Sequence, residues 1–409
     1  MKSKTTRYPR ILLCLLAVIV LLVLTTLSTP FCDWYTQHIY RHYADVLGRL
    51  FAPLPVCAGE ILMYLGVLLA LLAFVFAVLL IFLRKKQGYR RFAKHFFKFL
   101  LMTLTCFLLL FTATWFVPFR ASVLLQGDRS GLRTEFSYYE ITAILEHVVE
   151  IGDQAAEEME TGADGRAVFL SQEALQTEIG EALQNLSGEF TLLSGYYPPV
   201  KNALCSDILE RMRIGGYTYP FTAESTRNKY TSPIYQCTLD SHELCHHKGY
   251  FLENEANFLS AIAMLQSDEP QLRMAACEQI YQSLYDPYLD AQEPLVDEWV
   301  AEGKLPNMEN IKLSKETKEE WIAYAKKFYE YFPQIDFSSR FWQICTDSAM
   351  VGQEIYNADE HPIDEMPALN EVIENTADVG WEAQANILQE NCYDGDVLLF
   401  LQYFDGKLN

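Results

Sequence analysis

The chain has 409 residues, half of them apolar, and a formal net charge of −21. That length suits one large domain or two ordinary ones, and the acidity argues against nucleic-acid binding, because an acidic surface repels phosphate. The charge is unevenly placed. Residues 1–120 carry 14 Lys and Arg against Asp33, Asp45 and Glu60, a net of +11, whereas the remainder carries 18 basic and 50 acidic residues. A basic, apolar front (1–120) therefore precedes an acidic, polar back (121–409).

Ile11 to Leu27 is apolar apart from two threonines, and Ile61 to Leu83 and Phe99 to Phe119 contain no charge. Crossing a bilayer takes about 20 apolar residues, and helices buried in soluble proteins rarely sustain such runs. Three transmembrane helices are expected, at about 11–29, 61–83 and 99–119. The first could alternatively be a cleaved signal peptide, but Ser28-Thr29-Pro30-Phe31 fits a small-x-small cleavage site poorly. Lys2, Lys4, Arg7 and Arg10 precede the first run, and Arg84, Lys85, Lys86, Arg90, Arg91, Lys94 and Lys98 crowd the loop between the second and third. Basic loops stay in the cytoplasm. The amino terminus is therefore expected inside, and the acidic domain outside.

Between the first two runs, Trp34, Tyr35, Ile39, Tyr40, Tyr43, Leu47, Leu50 and Phe51 recur at helix-like spacing. Two readings stand equally: an amphipathic helix at the membrane surface, or a segment packed against the outer domain. Cys32 and Cys57 flank this loop, where an oxidising compartment would permit a disulfide. Cys14 and Cys106 lie in the apolar runs, and Cys205, Cys237, Cys245, Cys277, Cys345 and Cys392 are scattered singletons without a Cys-x-x-Cys pair, which argues against a cysteine zinc knuckle.

The outer domain reads as mainly α. Helical periodicity runs over about 137–158, 171–186, 201–212, 255–266, 270–285, 293–302, 314–332 and, as a final amphipathic pair, 367–404. Tyr217 to Tyr230 is aromatic and turn-rich, Ile234 to Leu239 suits a short strand, and Asp359 to Met366 reads as an acidic loop.

The chemistry concentrates in Ser241-His242-Glu243-Leu244-Cys245-His246, with Gly249, Glu253, Glu255 and Asn257 following. This is His-Glu-x-x-His, the zinc-peptidase signature. On one helix, residues four apart share a face, so His242 and His246 are able to hold one metal. Glu243 is then the candidate general base, and Gly249 suits a helix stop that turns the chain back. Glu253 is the favoured third ligand and Glu255 the alternative. Asn257, four residues after Glu253, would share its face and hydrogen-bond a ligand histidine. His247 is expected at the surface and Cys245 in the core. Tyr230, His361, His147 and Arg340 are the candidates to stabilise an oxyanion, and spacing does not choose among them.

Ser194-Gly195-Tyr196-Tyr197-Pro198-Pro199-Val200-Lys201, Pro220-Phe221-Thr222-Ala223-Glu224 and the signature through Glu255-Ala256-Asn257-Phe258 resemble one group of bacterial multi-pass membrane proteins. That group is defined only as a domain of unknown function and is regarded as zincin-like. The likeness is strongest between about Gly195 and Leu265. Two departures are Cys245, where alanine is usual, and Ala223, where glycine is expected. The resemblance implies a gluzincin-type outer domain on a bacterial cytoplasmic membrane protein.

The expected activity is a membrane-anchored, Zn2+-dependent metallopeptidase cutting peptides or proteins outside that membrane. The alternative is a non-catalytic sensor or scaffold stabilised by zinc. Cleavage within the bilayer is set aside, because the motif lies well past the last apolar run in a polar domain.

Overall fold

The computed structural model describes residues 9–121, 133, 135–305, 318–388, 395–405 and 407. Lys2, Lys4 and Arg7, which carry part of the orientation argument, and Cys392 lie outside these residues.

Among its described residues, the amino-terminal part is helical apart from short turns. Helix α1 (Pro9–Leu27) ends at Ser28, whose hydroxyl accepts the Phe31 N–H and starts α2 (Thr29–Tyr35). A π-turn (Thr36–Tyr40) leads into α3 (Arg41–Phe51). The segment Thr29–Phe51 departs from α1 at 115°. Helices α4 (Ala58–Leu83) and α5 (Gln87–Phe111) then form a hairpin. The chain continues through a second π-turn (Thr112–Phe116) and the short α6 (Val117–Phe119). Among the described residues, two helices, Ala58–Leu83 and Gln87–Phe119, are long and apolar enough to cross a membrane, and the number rises to three if the bent pair beginning at Ile11 counts as one span. Along α4, Leu62, Leu65, Leu68, Leu71, Phe74 and Ile81 all face outward. Water would not tolerate so continuous an apolar surface, whereas lipid does.

The polar back of the chain follows as α7 (Tyr138–Glu158), α8 (Gln172–Asn185), α9 (Ser206–Arg211), α10 (Pro233–Lys248), α11 (Glu253–Leu265), α12 (Pro270–Ala301), α13 (Lys318–Tyr331), α14 (Ser339–Ala358), α15 (Pro367–Leu388) and α16 (Gly395–Phe404). Helices α7 and α12 pack along each other, with α10 and α11 beside them. Leu145, Val148, Ile179, Leu183, Leu259, Ile262, Leu272, Ile280 and Phe341 meet in one core without exposed surface. The runs expected at 270–285 and 293–302 are one helix, α12, which carries Pro287 and Pro294 inside it.

A three-stranded sheet, ordered β1 (Lys201–Asn202), β3 (Glu224–Arg227) and β2 (Gly216–Tyr219), lies on α10. β1 is parallel and β2 antiparallel to β3. The strand expected at 234–239 is absent. Pro233 instead opens α10, where its fixed φ suits the first helical turn, and the strands come from the aromatic, turn-rich stretch before it.

The two parts interlock. Lys201, buried on β1, meets Glu224 of β3 at 2.6 Å and donates to the carbonyls of Phe51 and Val56 at 2.8 and 3.2 Å. Glu224 also accepts the Gly59 N–H at 3.0 Å. Glu60, at the head of α4, accepts the N–H groups of Leu204 and Cys205, both at 2.9 Å. The boundary that charge draws at residue 120 is thus not a boundary in packing. Cys32 and Cys57 are both buried free thiols. Cys32 sits with Val117 and Ala121, and no disulfide joins the pair.

The segment Thr29–Phe51 packs against the polar back of the chain, one of the two readings of its periodicity. Thr36, Tyr40, Ala44 and Gly48, four residues apart, face the polar domain and are buried there, while Trp34, Ile39, Val46 and Leu50 stay exposed on the other side. Gly48 lies so close to His247 that an added Cβ would stand 3.0 Å from the ring.

Candidate metal centre

Helix α10 ends at Gly249, which adopts φ +104°, a conformation that costs glycine little. Its N–H donates to the His246 carbonyl at 3.0 Å, and Tyr250 N–H to that of Cys245 at 3.1 Å. An added Cβ would also crowd Thr36 and Tyr40 at 3.0 and 3.2 Å. Gly249→Ala should therefore lose about 1–3 kcal/mol of stability, read as a lower unfolding midpoint of the purified full-length protein.

The reversal brings three side chains together. His242 and His246 stand with ring centroids 4.5 Å apart and planes at 85°. Glu253 opens α11, and its Oε2 lies 3.1 Å from His242 Nε2 and 3.8 Å from His246 Nε2. All three ligand atoms fall within 4.8 Å of one another. Zinc bonds of about 2.0–2.1 Å in a tetrahedron separate ligand atoms by about 3.3 Å, so this donor set fits one ion. Glu255 is buried two residues further on and does not belong to the cluster.

Electrostatics follow from the crowding. Burial raises the Glu253 carboxyl, but hydrogen bonds to His242 and His246 outweigh it and hold the group well below the usual carboxylate range. Burial lowers His246, yet the hydrogen bond and charge of Glu253, with help from Glu243, push it up to about 9. The second ring nitrogen of His246 faces the Tyr250 carbonyl at 2.7 Å, which fixes the imidazole's orientation.

Glu243 is almost fully buried, and desolvation raises its carboxyl, while the two histidines and Thr218 oppose the rise. Thr218 Oγ1 donates to Glu243 Oε2 at 2.6 Å. Gly216 and Thr218 share the face of β2 that rests on this carboxylate, and a Cβ at Gly216 would stand 2.9 Å from Oε1. Arg227 of β3 meets buried Asp240 of α10 at 2.6 Å and clamps the sheet to the helix. Burial still pushes Asp240 up to about 6 against that guanidinium.

Residues 35–335 match the family model described as protein of unknown function (DUF3810). The chain belongs to that family. No curated protein and no solved structure matches it. The DUF3810 match takes in the bent segment from Tyr35 onward, both long apolar helices, the sheet and the cluster of His242, His246 and Glu253. Within this DUF3810 chain, Ala223, where glycine is expected, adopts φ +53° with its methyl fully buried beside Tyr40 and Phe251. Its packing there offsets the backbone cost of the left-handed conformation.

Several expected placements change. His247 is completely buried, not at the surface: its Nδ1 meets the Ala223 carbonyl at 2.9 Å, and burial pushes it down to about 4. Cys245 is fully buried in the core, as its spacing implies. The Asn257 amide does not serve a ligand histidine through the bond expected of it. It donates to Asp396 of α16 at 3.4 Å, because the helix that carries Asn257 packs on α16. The oxyanion candidates are engaged elsewhere. Tyr230 donates to Asp359, His361 pairs with Asp207 and stacks on Tyr356, His147 packs on Phe404, and Arg340 donates to Thr161. Thr218 was not foreseen. Its signal was the alternation Gly-Tyr-Thr-Tyr at 216–219, which places every second residue on one face.

Proposed function

We propose that this protein is a membrane-anchored zinc metallopeptidase that hydrolyses peptide bonds outside the bacterial cytoplasmic membrane. The observation that carries the reading is the convergence of His242, His246 and Glu253 beside a buried Glu243 held by Thr218. Three helices would anchor it, with the amino terminus and the basic α4–α5 loop in the cytoplasm and the large domain outside.

When bound, zinc supplies a Lewis acid that polarises a carbonyl and lowers the pKa of water. His242, His246 and Glu253 would hold it. Glu243 takes the proton released by the attacking water and passes it to the leaving amine. Thr218 orients the carboxylate and stabilises its charged form through one oxygen, leaving lone pairs of the other for the proton. A gluzincin-type arrangement is supported by the third ligand opening the helix after the reversal. β2 is an edge of the sheet and rests on Glu243, the placement an extended peptide would use by strand addition.

Thr218→Val keeps the shape and removes the donor. Peptide hydrolysis should fall about 10- to 100-fold, the rate equivalent of one hydrogen bond to a charged group, with metal content unchanged.

The deciding experiment is the metal content of purified full-length protein beside Glu253→Ala and Glu255→Ala. Near-stoichiometric zinc in the wild type and Glu255→Ala, with loss in Glu253→Ala, is expected. A folded wild type without metal overturns the reading. Zinc with a closed fourth protein ligand would favour the scaffold.

A further inference from the structure

Resting on the peptidase reading, we propose that the substrate is itself membrane-anchored, and that it is cut within a few residues of the bilayer. The β2–β3 hairpin is the bridge. At one end, Gly216 and Thr218 lie on Glu243. At the other, Tyr219 packs on Gly59 at the head of α4, so closely that a Cβ there would stand 2.5 Å from the ring. Phe221, at the tip, meets Phe107 of α5 edge-on at 5.8 Å, and its carbonyl accepts from Tyr43 at 2.7 Å. The three steps from Gly216 to Tyr219 cover about 10 Å of strand, so the candidate base lies about that far from the start of the apolar α4.

β2 is the outer strand of the sheet along this path, with Tyr217 exposed. Asn228 N–H donates to the Gly215 carbonyl at 2.5 Å, and the antiparallel register pairs Gly216 with Arg227 and Thr218 with Ser225. Alternation then makes Gly215, Tyr217 and Tyr219 the hydrogen-bonded partners of β3 and directs the backbone groups of Gly216 and Thr218 to the outer edge. A chain pairing there runs along β2 and, in one direction, arrives at the bilayer.

A second observation points the same way. The segment Thr29–Phe51 turns 115° from α1 and lies between the apolar helices and the metal cluster. Its buried side carries Tyr40, edge-on to Phe251 at 5.5 Å, and Phe251 stacks at 6.2 Å on the ligand His246. Its exposed side carries Trp34, Ile39, Val46 and Leu50, the composition of a helix seated in the headgroup region. The site is thus two aromatic rings from a surface that suits lipid. A peptide tethered to that bilayer meets the site at a high effective concentration, whereas a free one does not.

The test uses full-length protein in liposomes with single-span reporters whose outer segment is a randomised 20-residue run. The same run is offered without its span, and again behind a 20-residue Gly-Ser spacer; cut positions are read by mass spectrometry. Cuts clustered roughly three to six residues from the anchor, with at least tenfold less cleavage of the free and spaced runs, are expected. Equal cleavage of all three overturns the inference and leaves the peptidase intact. Cleavage of none by zinc-loaded protein removes the peptidase reading and this inference with it.

Discussion

Replacing Glu243 by Gln should remove peptide hydrolysis by about 10²- to 10⁴-fold, the contribution of a positioned acid–base group, while zinc content stays at the wild-type level. The physical case is local. Glu243 lies between the histidines on α10, is almost fully buried, and has one oxygen bound by Thr218 at 2.6 Å. Gln preserves the volume and still accepts from Thr218, so the sheet keeps its contact with the helix, but it takes no proton at neutral pH. The proposed metal ligands are other residues, so binding and turnover should separate in this variant. Measurement of kcat/KM on a cleaved peptide beside zinc content decides it. Retained activity would show that Glu243 is not the base and that any hydrolysis has another origin.

Removing Glu224 is expected to cost about 3–5 kcal/mol of stability, because it strands a buried ammonium. Lys201 and Glu224 are 7% and 3% exposed in their side chains, and the same lysine donates to the carbonyls of Phe51, at the end of α3, and Val56, in the loop that leads into α4. Glu224→Ala leaves that charge without its counter-ion and frees the Gly59 N–H. The double variant Lys201→Met/Glu224→Gln leaves no buried charge and retains an acceptor for Gly59. It should recover most of the loss. Equilibrium unfolding of the full-length protein in detergent measures both, and equal destabilisation by the single and double variants would mean that the buried charge is not what matters. Because this pair joins the hairpin to the apolar helices, Glu224→Ala should also slow cleavage of anchored reporters more than of free peptide.

The membrane-facing arrangement gives the two variants a common logic. The proposed chemistry sits on α10 and α11, whereas β2, β3 and the Thr29–Phe51 segment join those helices to the apolar ones. Lys248 belongs to the second set: it is buried, meets Asp45 of α3 at 3.1 Å and donates to the Tyr196 carbonyl at 2.7 Å. Burial pulls it down to about 8 against the Asp45 charge. The helix that carries the histidines is therefore tied at its end to α3 of the Thr29–Phe51 segment.

What the amino-acid sequence determined by itself is what a short stretch of chain decides locally. Apolar runs of about 20 residues are legible because lipid leaves backbone groups no partner but their own helix. His242 and His246 are legible as a pair because the helical period places residues four apart on one face, and Gly249 and Glu253 because a left-handed stop returns the chain within a few residues. Only the tertiary structure decided what is joined across long stretches: Thr218 to Glu243, Lys201 to the Phe51 carbonyl 150 residues away, Tyr43 to Phe221, and the burial of His247 under Gly48. Strands of two to four residues leave almost no periodicity to read, and an amphipathic helix does not announce which of its faces meets protein and which meets lipid. Those choices rest on the area buried when distant segments meet, a quantity that no single stretch of the chain contains.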